Sequence, residues 1–181
     1  MTKSLTLSLA CALAATSIAS VAQTPPPPPP PEARTQAMPY VMAAGQSDMF
    51  EINSSQVALQ KSQNPAVRRY AQMLIKHHQK TTAATLKAAR KARLSPTPPM
   101  LDPGATASIN ELQTASAADF DRIYLAQQVP AHQAALDLHQ AYSQGGDQAP
   151  LRMTARTAVP IVRSHLVAAQ RMQGMTGDRG M

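Results

Sequence analysis

Glu51, His78, His132 and His165 are the residues of this chain whose types and spacing suit chemistry. A neutral imidazole offers a lone pair to a transition metal, and a carboxylate adds negative charge. Three imidazoles and one carboxylate would suit zinc, copper or a single iron ion. Two of the histidines lie inside apolar stripes. Val67, Ala71, Leu74, His78 and Thr81 fall on one face at helical spacing. Leu151, Ala155, Ala158, Val162, His165, Ala169 and Met172 repeat the arrangement. Each stripe aims one imidazole at a core.

Depth along a bundle follows from spacing, at about 1.5 Å of rise per residue. A first helical hairpin turns near Asn64. Glu51 lies thirteen residues before that turn and His78 fourteen after it, so both sit roughly 20 Å from it. A second hairpin turns near Gly146, with His132 fourteen residues before and His165 nineteen after. All four residues are near the middle of their helices, so a mid-bundle cluster is geometrically allowed.

The elements that must position them are four helices. The first is expected over 39–62, with Val41, Ile52, Ser55 and Leu59 facing inward. The second starts at Pro65, whose missing N–H needs no partner in the first turn, with Asn64 as cap, and runs to about Arg93. Residues 94–115 are rich in proline and form a connection, long enough at about 3.3 Å per residue to run the length of a bundle. Ala105 to Gln113 is expected as a short helix within it. The third helix runs over 117–143 with a stripe from Phe120 through Tyr124, Gln127 and Leu138, and Pro130 should bend it. Gly145 and Gly146 end it, Asp147 can cap the next, and the fourth helix runs over 150–173 with a second bend at Pro160. The expected fold class is all-α: a ferritin-like four-helix bundle of two helical hairpins joined by a long crossover.

Residues 1–22 have the pattern of a signal peptide: Lys3, an apolar Leu5 to Ala15 stretch too short to span a bilayer, and small residues at Ser20-Val21-Ala22. The mature protein is then periplasmic or otherwise exported. Cys11, the only cysteine, leaves with the signal, so the mature chain has no disulfide. Residues 23–36 form a proline-rich spacer, residues 37–174 the helical domain, and residues 175–181 a flexible tail. The chain carries a net charge of +7. Export argues against nucleic acid as a partner; the basic surface suits an anionic membrane or cell-surface polymer, or an envelope partner. Few aromatics and no tryptophan imply a small-side-chained helical core.

Several segments resemble an exported bacterial family, catalogued as domain of unknown function 4142 and described as ferritin-like. They are Phe50-Glu51, Tyr70 through His78, Phe120-Asp121-Arg122-Ile123-Tyr124, Ala131-His132-Gln133 and His165-Leu166. The resemblance spans about Pro39 to Met172. It departs at His77, where family members usually carry an acidic residue. It implies a fold and a compartment and supplies no reaction.

Two readings of the histidines stand at this stage. A neutral imidazole can fill a core position while hydrogen-bonding Glu51 or Gln128, or it can bind metal. A di-iron site with paired Glu-x-x-His motifs is disfavoured, because Ile75 and Val162 occupy the positions three before His78 and His165. His77 is expected to be exposed, and His139 to lie on the polar border of its helix. No Gly-x-Ser-x-Gly turn and no phosphate loop are present. The leading expectation is a non-enzymatic envelope interaction or stress-associated protein. The alternative is a metal-binding or redox protein using Glu51, His78, His132 and His165.

Overall fold

The computed structural model describes residues 27–177. The expected signal peptide, the start of the spacer and the last residues of the tail lie outside them. Among the described residues the chain is helical, with no strand. A 3-10 turn, Pro31–Arg34, precedes α1 (Ala37–Lys61), α2 (Pro65–Lys91), α3 (Pro103–Thr114), α4 (Phe120–Gly145) and α5 (Ala149–Gly177). No helix among the described residues is long and apolar enough to cross a membrane.

Local chemistry sets the boundaries. Asn64 Oδ1 accepts from the Ala66 N–H at 2.9 Å, and Pro65 opens α2. Asp102 does the same for α3, accepting from Ala105 N–H at 2.9 Å. The end of α2 is closed by Arg93 in the left-handed region at φ 59, with Leu94 N–H bonded to Ala89 C=O at 2.9 Å. Asp147 does not serve the capping role expected of it. Its carboxylate accepts from Tyr142 OH at 2.8 Å, and its N–H bonds Thr35 C=O at 2.9 Å. Helices α4 and α5 both continue through their internal prolines, Pro130 and Pro160.

Helices α1 and α2 pack together, as do α4 and α5, and α2 packs on α5 while α1 packs on α4. Two main apolar clusters fill the interior. One holds Phe50, Val57, Val67, Leu74, Leu112, Phe120, Tyr124, Leu125 and Ala169. The other holds Tyr40, Val41, Ala44, Ala88, Ala89, Leu138, Tyr142, Leu151 and Ala155. Fully burying a leucine such as Leu74, Leu125 or Leu138 contributes about 2 kcal/mol. The membership orders the helices. The first cluster contains the end of α1 and the start of α2; the second contains the end of α4 and the start of α5. The two hairpin turns therefore lie at opposite ends, and residues 92–119 carry the chain back along the body, with α3 packed on α1 and α4.

Each long helix has a gap between the clusters. Asp48 falls in it on α1, His78 on α2, His132 on α4 and His165 on α5. Glu51 borders it. The fold thus places these polar side chains between two apolar clusters, with a third small cluster of Ala135, Leu136, Val162 and Leu166 on the α4–α5 side at that level.

The stretch expected as a free spacer is partly built into the body. Ala33 is fully buried, the 3-10 turn packs on α1 and α4, and Pro27 to Pro30 line a cavity with Phe50, Ala131 and Ala135. At the other end, Gly146 lies under the Tyr142 ring, which stacks on Tyr40 at 3.9 Å. A Cβ on Gly146 would stand 2.4 Å from Tyr142 Cε1. Its φ of −64 suits any residue, so the obstacle is steric. Gly146→Ala is expected to lower the unfolding free energy by about 1–3 kcal/mol, read from urea midpoints. An unchanged midpoint would show that the Tyr40–Tyr142 stack yields freely.

Candidate metal centre

Three helices bring three imidazoles together. His78, His132 and His165 are 2 %, 0 % and 1 % exposed. Their ring centroids form a near-equilateral triangle: 5.7 Å from His78 to His132, 5.3 Å from His78 to His165 and 5.4 Å from His132 to His165. The planes cross at 54° to 83°, so the rings meet at steep angles and do not stack. One nitrogen from each ring lies within 4.8 Å of those from the other two. Imidazole nitrogens on one ion, each about 2.0–2.1 Å from it, stand roughly 3.5 Å apart. Modest ring rotation closes the difference.

Each ring is held from behind. His78 Nδ1 bonds Asp48 Oδ1 at 2.7 Å. His132 Nδ1 bonds Gln128 C=O at 2.9 Å. His165 Nε2 meets His77 Nδ1 at 2.8 Å. A carbonyl and a carboxylate accept, so His132 and His78 donate through Nδ1, which leaves Nε2 as the lone pair of each ring when it is neutral. The His77–His165 hydrogen bond can run in either direction; with His165 as donor through Nε2, its Nδ1 is also a lone pair. These three atoms, His78 Nε2, His132 Nε2 and His165 Nδ1, are buried with no hydrogen-bond partner. Buried polar nitrogens normally have one. Partners that fix the proton on the far nitrogen of each ring are what metal-ligating histidines show.

The carboxylates divide the remaining work. Asp48 gathers His78 Nδ1, Thr81 Oγ1 at 3.0 Å and Thr82 Oγ1 at 2.7 Å. Glu51 stands beside His132, with Oε1 3.5 Å from Nδ1, and neither of its oxygens has a hydrogen bond. The nearby Gln128 amide donates instead to Ser54 Oγ at 3.2 Å. Burial pushes the Glu51 carboxyl up to about 8, against the opposing pull of His78. Burial also drives His132 well below the usual imidazole range, helped by the charge of His78 and His165. Burial lowers His165 to about 3. At His78 burial acts downward, but the hydrogen bond and charge of Asp48, with the charge of Glu51, together outweigh it and the ring is raised. His132 and His165 are therefore neutral and ligand-ready at neutral pH.

Of the four expected site residues, the structure unites His78, His132 and His165 and sets Glu51 behind His132. Asp48 was missed. It lies sixteen residues before Asn64, while Thr81 and Thr82 lie seventeen and eighteen after, so the same depth arithmetic pairs it with the His78 turn. His77, expected exposed, is half-buried, its ring stacked on His165 at 5.1 Å. His139, expected on a polar border, is buried and bonded to Tyr40 OH at 3.0 Å, apart from the triad.

Residues 22–172 match the family model described as "Domain of unknown function (DUF4142)". The chain belongs to that family. No curated protein matches it significantly. Solved structures of CopM share its fold. The Cu(II)-bound form superposes with a TM-score of 0.66 at 16% identity, covering 77% of this chain and 96% of that one. The Ag-bound form gives 0.64 at 16% identity, covering 76% and 94%. The apo form gives 0.63 at 17% identity, covering 76% and 95%.

Burial holds His139 at about 4 in the folded protein, against about 6.5 for a free imidazole. The unfolded chain takes that proton first. Stability present above pH 6.5 is therefore lost as pH falls toward 4, by on the order of 3 kcal/mol. His165 and His132, both lowered by burial, act in the same direction. His78 and Glu51, with their raised values, act in the opposite one and offset part of the fall. Urea midpoints of metal-free protein should fall between pH 6.5 and 4, with a shallower fall in His139→Gln; an identical slope in that variant would contradict the assignment.

Proposed function

We propose that this chain is an exported, non-enzymatic metal-binding protein that holds one copper ion on His78, His132 and His165. The observation that carries the reading is the convergence of three partnerless imidazole nitrogens in a sealed interior, each with its other nitrogen tied. A core built only for packing gains nothing from leaving three nitrogens unpaired, since each costs about 1–3 kcal/mol.

Copper is preferred over zinc and single iron on ligand chemistry. Neutral imidazoles bind copper well, and divalent copper heads the affinity order of first-row metals. The fold-sharing CopM structures include Cu(II)-bound, Cu(I)-bound and Ag-bound forms. Glu51 is read as the carboxylate that offsets the ion's charge from behind His132; a cation nearby would pull its proton off. The two hairpins and returning connection support the ferritin-like reading of the architecture. Export rests on the N-terminal pattern of the sequence, and the role within the envelope is capture or delivery of the ion.

Copper should bind at one equivalent by elemental analysis of untagged protein. Ligand at 100 times Kd should raise the unfolding free energy by about 2.7 kcal/mol. His78→Ala with His165→Ala should abolish both effects. A protein that stays metal-free and melts identically with copper and with chelator would overturn the reading, leaving three histidines that serve only the core.

A further inference from the structure

Ligands this deeply buried need a route for the ion. Two polar side chains connect the histidine layer to its periphery: Asp48, bonded to His78, and His77, bonded to His165. The Asp48 side is closed. Asp48 is itself buried, and the cavity beside it measures about 20 Å³, walled by Thr85, Pro96 and Pro99. Pro99 packs so tightly there that a Cβ on Gly45 would stand 3.1 Å from its Cγ.

The His77 side is open. His77 is half-buried and lines a groove of about 450 Å³ between α2 and α5, where Thr81, Ala84, Ala88 and Ala158 are too small to fill the space. Its ring lies nearly parallel to that of His165, at 18°. One imidazole thus touches both the groove and a ligand of the centre.

We propose that His77 is the access ligand of the metal centre, taking an ion from the α2–α5 groove and passing it to His165. The proposal rests on the metal reading above. The step is ligand exchange. The His77–His165 hydrogen bond opens first as the rings turn, which frees the lone pair of His77 Nδ1. The ion forms a bond to that nitrogen and gives up a water to solvent. A bond to His165 Nδ1 forms while the bond to His77 breaks; the Nε2 proton of His165 stays in place, and no electron moves. Lys80, Lys87 and Lys91 line the same groove. Their charge repels a cation, which slows its arrival and lowers its occupancy at His77 alike, so His77 is a point of passage and not of storage.

The test is stopped-flow mixing of metal-free full chain with Cu(II), following quenching of tyrosine emission. Tyr70 is a built-in reporter, its ring 6.3 Å from that of His132. His77→Phe keeps a flat ring without nitrogens, and His77→Gln keeps a polar group; circular dichroism verifies that each folds. Both should load about tenfold more slowly or worse. Both also remove the group that holds the His165 ring, so the equilibrium Kd should weaken by about 10–100-fold, and the loading rate is the readout that separates access from positioning. Unchanged rates would overturn the proposal. A weakened Kd with an unchanged loading rate would also overturn it, because His77 would then only hold the His165 ring in place. Failure of the wild-type chain to bind copper saturably removes the metal reading itself, and that is seen before any variant is mixed.

Discussion

Burying polar groups without partners is costly, and five of the seven such side-chain atoms among the described residues belong to one cluster, His78, His132, His165 and Glu51. His78 Nε2, His132 Nε2, His165 Nδ1 and both oxygens of Glu51 are enclosed and unpaired. What makes the layer tolerable is its surroundings. An apolar cluster lies on each side of it along every long helix. Asp48, Gln128 C=O and His77 satisfy the far side of each ring. The three rings are thus locked in orientation while their inner nitrogens stay open. A cation would satisfy all three lone pairs at once, whereas a single water has only two protons to donate.

The helical arrangement follows from that requirement as much as from packing. Three ligands come from three helices, so the site exists only if both hairpins are correctly docked. The returning connection over 92–119 makes the docking one-directional: it carries the chain from the end of α2 back to the start of α4. Small residues at the α2–α5 contact let that pair approach closely enough for His77 to hydrogen-bond His165. The same small residues leave the groove open above it. Access and rigidity therefore share one surface.

Much of this was legible in the sequence because helical periodicity and rise are regular. The stripes through His78 and His165 gave their inward direction, and counting from Asn64 and Gly146 gave their common depth. Asp48 is harder to read, because Glu51 already matches His78 in depth and Asp48 lies one turn further along the same face. His77 escaped for another reason. Adjacent helical residues point about 100° apart, so a histidine beside an inward one reads as outward. Whether it meets water or another helix depends on how closely α5 approaches, and spacing within α2 does not encode that. Likewise, Asp147 has the residue type of a cap, but the tertiary contact with Tyr142 claimed its carboxylate.

The central claim is that the ion sits on the three inner nitrogens. Anomalous scattering at the copper edge from crystals of copper-loaded protein tests it most directly. A single peak about 2.0 Å from His78 Nε2, His132 Nε2 and His165 Nδ1 is the result expected. Copper bound only elsewhere, with those nitrogens left as they are, would contradict the account.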